Sequence, residues 1–131
     1  MDLKAKNIVL VCCGTLLVLV FLEFLFIQLE LFINFPHIGI LFHLAGGIAV
    51  GLGVYYLFLS HLAELPWYVK TCFIVGAVGL AAIGWEGFEW IFSRFFYHNN
   101  LQGGLDNTMG DLYVGLLGGC LAACWVVLKK K

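Results

Sequence analysis

Hydropathy divides the chain into four long apolar runs with short polar breaks, over about residues 7–32, 37–62, 67–92 and 111–128. Each run is long enough for a membrane-spanning helix, which takes about 20 residues. Pro36 marks the first break, because a proline pushes the residue before it out of the helical region. Pro66, in Leu-Ala-Glu-Leu-Pro-Trp, marks the second and suits the first turn of the next helix. The third break, about 94–110, is the only sizeable polar loop, with His98, Asn99, Asn100, Gly103, Gly104, Asp106 and Asn107. The first run exceeds the 7–15 apolar residues of a signal peptide and holds Glu23 and Glu30, so it is expected to persist as a helix.

Composition agrees with this pattern. Of 131 residues, 63% are hydrophobic and 11% charged, and the mean hydropathy is +1.00. An ordinary soluble domain carries about 25% charged residues. A water-soluble globule, a disordered chain and a basic nucleic-acid binder are therefore excluded, and the formal charge of -1 offers no attraction to a polyanion. The expected fold is all-α, a polytopic membrane protein forming one transmembrane domain, a four-helix bundle over residues 1–131.

Lysines set the orientation. Lys4 and Lys6 precede the first run, Lys70 lies beside the second break, and Lys129, Lys130 and Lys131 end the sequence. With four spans these places share one side, which the positive-inside rule assigns to the cytoplasm. Both termini are expected there, in the inner (plasma) membrane. Cys12, Cys13, Cys72, Cys120 and Cys124 then fall in the cytoplasmic halves of their helices. An odd count on the reducing side argues against a disulfide framework. Cys120 and Cys124 share a helix face that a soft metal could use, but small apolar packing residues are the simpler reading.

The ionisable residues carry more information. Glu23, Glu30, His43, Glu86, Glu89, Asp106 and Asp111 all map to the outer half or outer loop. Ionisable groups inside a bilayer are costly and usually face the bundle interior, which makes them functional candidates. His43 sits above Gly47 and Gly51 at i+4 steps, with Gly46 alongside; Glu86 shares a face with Ala82 and Gly79; Asp111 shares one with Gly115, Gly118 and Ala122. Such stripes let helix backbones approach closely, and Gly47–Gly51 and Gly115–Gly119 have the GxxxG spacing. If the small faces meet, the polar groups above them meet too. Gly118→Leu should then force helices apart, whereas Val126→Leu should be mild.

One imidazole among carboxylates is a hard, oxygen-rich ligand set suited to Mg, Ca or Mn, or to Zn with fewer ligands. Of the candidate divalent-metal ligands, His43, Glu86 and Asp111 are expected within reach of one another, with Glu89, Asp106 and Glu23 as outer or additional ligands. The same groups could act as general acid and base, with Glu86 and His43 as the catalytic candidates. No nucleophile motif, HExxH, phosphate-cradling loop or arginine cluster is present. Each residue also has a simpler reading. His43 alone reads as a satisfied buried histidine. Thr108-Met109-Gly110-Asp111 fits a capping box, and Asp106 or Asn107 an N-cap. Glu89 reads as wet at the interface, and Trp67, Trp85 and Trp90 as interfacial anchors. Glu86 has the weakest simple reading, being a carboxylate about two turns inside its helix.

Phe42-His43-Leu44-Ala45-Gly46-Gly47, Glu86-Gly87-Phe88-Glu89-Trp90 and Asp106-Asn107-Thr108-Met109-Gly110-Asp111-Leu112 form an ordered set of motifs over about residues 37–119. In order and spacing they resemble the VanZ-like and YjdF-like group of small bacterial integral membrane proteins. That group often has an Asp a few residues before the histidine, where this chain reads His37-Ile38-Gly39-Ile40, and an Asn at the position of Gly115. The resemblance implies an envelope-associated protein, in a group partly linked to glycopeptide tolerance and without an established reaction. Three readings stay open. One is a divalent-metal site near the extracytoplasmic face with an envelope or lipid role. The second is an enzyme acting on a lipid or polyprenyl headgroup. In the third, structural or assembly reading, polar groups only pin helix register. The bilayer is the expected partner, a lipid or polyprenyl headgroup and a second copy of the chain are open ones, and nucleic acid is excluded.

Overall fold

The computed structural model describes residues 2–35, 37–97 and 104–129. Pro36, His98, Asn99, Asn100, Gly103, Lys130 and Lys131, which figure in the sequence reading, lie outside the described residues.

Asp2 caps α1 (Leu3–Gln28), its carboxylate accepting the Ala5 N–H at 2.6 Å. The first span therefore stops before the expected end at 32. Glu30 takes the left-handed conformation (φ 54°, ψ 26°), which no α-helix can continue through, and one further turn, α2 (Leu31–Asn34), follows it. The second span is α3 (Ile38–Leu57), which pauses at Phe58 before the single turn α4 (Leu59–Leu62). Pro66 caps α5 (Trp67–Phe92), which runs on into a π-helical turn over Ser93–Tyr97. The last span, α6 (Leu105–Leu128), starts well before the expected 111. Gly104, at φ 89°, is its N-cap, so neither Asp106 nor Asn107 caps it and Thr108 and Asp111 form no capping box. Asp106 fits the first turn because an acidic side chain is favourable beside the helix N-terminus.

Among the described residues four helices are long and apolar enough to cross a membrane, with mean hydropathies from 1.6 to 2.8. Their outward faces are apolar: Leu10, Leu17, Leu80 and Ile83 are each more than 60% exposed. In water that surface would be untenable, and in lipid it is the expected exterior.

Glycines set the closest contacts. A Cβ on Gly47 of α3 would run into the Gly115 carbonyl of α6, and one on Gly118 into the Leu44 carbonyl of α3. A Cβ on Gly51 would lie 2.8 Å from the Ala122 Cβ, and one on Gly119 3.0 Å from Val78 of α5. The first glycine of each GxxxG pair thus sits at the backbone contact between α3 and α6, whereas Gly51 and Gly119 make room for side chains. Gly46 is different, with nothing within 4 Å of its Cβ position. Toward the other end, Ile74, Ala122, Ala123 and Val126 form the buried apolar cluster. Val126→Leu would overpack this cluster, so it is not the mild change the sequence suggested.

Helix α3 packs on α6, α5 and α1, whereas α1 lies mainly along α3. Lys129 Nζ stacks over Trp125 at 4.1 Å and donates to Tyr56 Oη at 3.4 Å, placing the ends of α3 and α6 together. All five cysteines are free, with Cys12 buried and Cys120 and Cys124 exposed.

Candidate functional site

His43 stands one turn above Gly47 on α3, and Asp111 stands one turn above Gly115 on α6. Because those glycines let the two backbones touch, the side chains above them converge. His43 Nε2 lies 3.6 Å from Asp111 Oδ2 and 4.0 Å from Glu86 Oε1 of α5. The three side chains are only 11%, 12% and 6% exposed. Their closest ligand atoms all fall within 4.8 Å of one another.

A second group shares the histidine: ligand atoms of Glu23, His43 and Glu89 also lie within 4.8 Å of one another. Glu23 comes from α1, and its carboxyl reaches hydrogen-bonding distance of Glu89. Every spanning helix thus contributes an ionisable group to one layer of an otherwise apolar bundle.

Two residues hold these carboxylates in place. The Trp85 indole N–H donates to Glu89 Oε1 at 2.7 Å, and the Asn107 amide donates to Asp111 Oδ2 at 2.6 Å. Both pairs are spaced i,i+4 on one helix, the spacing that brings side chains together. That spacing was visible in the sequence. Trp85 nevertheless read as an interfacial anchor, and Asn107 as a helix cap.

The structure does not gather every sequence candidate. Asp106 is exposed on the first turn of α6 and belongs to neither group. Glu30 is exposed in the left-handed position after α1 and belongs to neither group. Neither group includes a cysteine.

Two ligands on one cation, at bond lengths of roughly 2.0–2.6 Å, stand at most about 4–5 Å apart. The separations of 3.6 and 4.0 Å fall within that limit. The donors are one imidazole nitrogen and carboxylate oxygens, a set that suits a hard or borderline divalent ion. The 4.0 Å approach of His43 to Glu86 would also serve proton transfer to a group held between them.

Four lipid-compatible helices around a buried polar layer define a multi-pass integral membrane protein. The chain belongs to the family described as predicted membrane protein (DUF2238), which matches residues 8–131. No match was found among curated proteins or solved structures.

Proposed function

We propose that this chain is an inner-membrane protein that holds a divalent cation between His43, Glu86 and Asp111, near the extracytoplasmic face. Glu23 and Glu89 supply negative charge, or further oxygens, beside the ion. The observation that carries this reading is the convergence of carboxyl groups from three helices on one histidine inside an apolar bundle. Several carboxylates in a low-dielectric layer cannot all remain charged without compensation, and one imidazole supplies too little positive charge. A bound cation meets that need. Both termini lie in the cytoplasm in this reading, because Lys4, Lys6, Lys70 and Lys129 gather toward one end. The motifs around His43, Glu86 and Asp111 resemble those of the VanZ-like and YjdF-like proteins, which supports an envelope- or lipid-associated role.

A second reading has the same centre act on a lipid or polyprenyl headgroup, with Glu86 and His43 as acid and base. It is favoured by the approach of His43 and Glu86 to 4.0 Å inside the bundle, where one can give and the other take a proton.

The test is metal content and thermal stability of protein purified in mild detergent. A ligand that binds only the folded state stabilises it by mass action, by about 2.7 kcal/mol at 100 times its Kd. Wild-type protein should carry close to one divalent ion per chain and melt higher when Mn, Mg, Ca or Zn is added. Glu86→Gln should lose both the ion and the rise. Equal metal content and equal melting in the two proteins would overturn the proposal and leave the polar layer as a register device. Release of a headgroup from a lipid or polyprenyl substrate by wild type but not Glu86→Gln would establish the second reading.

A further inference from the structure

The three threonines of the chain differ in what their hydroxyls do. Thr15 on α1 and Thr71 on α5 are exposed, and each donates to the carbonyl four residues back, of Val11 and Trp67, at 3.0 Å. That bond satisfies a helical hydroxyl in lipid, where no water is at hand. Thr108 on α6 is the exception. Its N–H donates to the Gly104 carbonyl at 3.1 Å, but its Oγ1 is buried and has no hydrogen-bond partner among the described residues. A buried polar atom left unpaired is costly, which makes it a marker for an ion or ligand that pairs with it.

The position of Thr108 says which. At about 3.6 residues per turn, Thr108 stands in line with Gly115 on the face that α6 turns to α3, one turn outward of Asp111. The Asp111 carboxylate leans back toward that turn, since Asn107, the neighbour of Thr108, donates to it at 2.6 Å. The unpaired hydroxyl therefore lies on the outward side of the His43–Asp111 pair. One imidazole and two carboxylates are also a short ligand set for Mg or Mn, which favour about six ligands. Glu23 and Glu89 are engaged with each other and with Trp85. A hydroxyl oxygen adds a ligand without adding charge. We propose that Thr108 Oγ1 is a further ligand of the cation that His43, Glu86 and Asp111 hold, which makes the centre one for a hard ion such as Mn or Mg rather than Zn. This rests on the metal reading above.

The experiment titrates Mn and Zn into the full chain in dodecyl maltoside by calorimetry, with melting of the metal-free protein measured alongside. Val has the shape of Thr without the hydroxyl, so Thr108→Val should leave metal-free melting unchanged or raise it, because the unpaired oxygen is gone. Its Mn affinity should fall about tenfold and its Zn affinity by less than about threefold, since a hydroxyl oxygen suits the harder ion. Thr108→Ser keeps the oxygen and should bind Mn as wild type does. A hydroxyl with only a structural part would give the reverse, lower metal-free melting and unchanged Mn affinity. That result, equal losses of Mn and Zn affinity, or Mn binding by Thr108→Ser as weak as by Thr108→Val would overturn the proposal and leave the metal reading standing. A wild-type chain that takes up neither ion would overturn both.

Discussion

Adding one methyl group at Gly47 tests whether glycine packing builds the centre. Gly47 and Gly46 are neighbours on α3, so Gly→Ala changes helix propensity alike at both. Their surroundings differ. A Cβ at Gly47 would collide with the Gly115 carbonyl oxygen and lie 3.0 Å from its carbon and 3.2 Å from its Cα, whereas at Gly46 it meets nothing within 4 Å. Ordinary carbon contacts lie at about 3.5–4.0 Å, so α3 and α6 must separate by about 1 Å locally. Overpacking of this kind costs about 1–3 kcal/mol. Gly46→Ala should be neutral or gain up to about 1 kcal/mol. Because the propensity gain cancels, the expected gap is about 1–3 kcal/mol, or roughly 5- to 150-fold in the unfolding equilibrium. Reversible unfolding in mixed dodecyl maltoside and dodecyl sulfate micelles, followed by circular dichroism, measures it. The same shift would carry the His43–Asp111 separation from 3.6 Å to about 4.6 Å, beyond the roughly 4.2 Å that two Mg ligands span. Gly47→Ala should therefore also lose stabilisation by Mg. Variants at Gly46 and Gly47 that unfold within about 0.5 kcal/mol of each other would refute the reasoning, because a clash of this kind should cost more.

Asn107→Ala removes the 2.6 Å hydrogen bond that orients Asp111. Outer partners of metal ligands are worth about 10- to 100-fold in affinity, so the midpoint of the Mn titration should rise by that much, and an unchanged midpoint argues against Asn107 as a positioning residue. Glu30→Gly relieves a left-handed residue (φ 54°) on an exposed reversal and should stabilise the fold by about 1 kcal/mol; destabilisation in the same unfolding assay would show that the glutamate side chain makes a needed contact. In a cysteine-free background, single cysteines at Leu3 and Lys129 should label from the cytoplasmic side and one at Asp106 from the opposite side. Labelling of Asp106 from the cytoplasm would invert or break the topology.

Much of this protein was legible before any coordinates. Four apolar runs define four helices because the bilayer demands internal backbone hydrogen bonding, and only helices or closed barrels provide it. The small residues under His43, Glu86 and Asp111 pointed to the faces that meet, since helical period and side-chain size are local properties of the chain. Boundaries were less legible. The end of α1 depends on the conformation of Glu30, and the start of α6 on a Gly104 at positive φ inside what read as a polar loop. Sequence spacing grouped His43, Glu86 and Asp111 and set Glu89, Asp106 and Glu23 beside them. What only the packing of α3, α5 and α6 decided is how closely His43, Glu86 and Asp111 approach, that Glu23 and Glu89 gather around the same histidine, and that Asp106 stays exposed. That α1 packs mainly on α3 has no signal in any single helix. It follows from which faces fit one another, and that is a property of the assembled bundle.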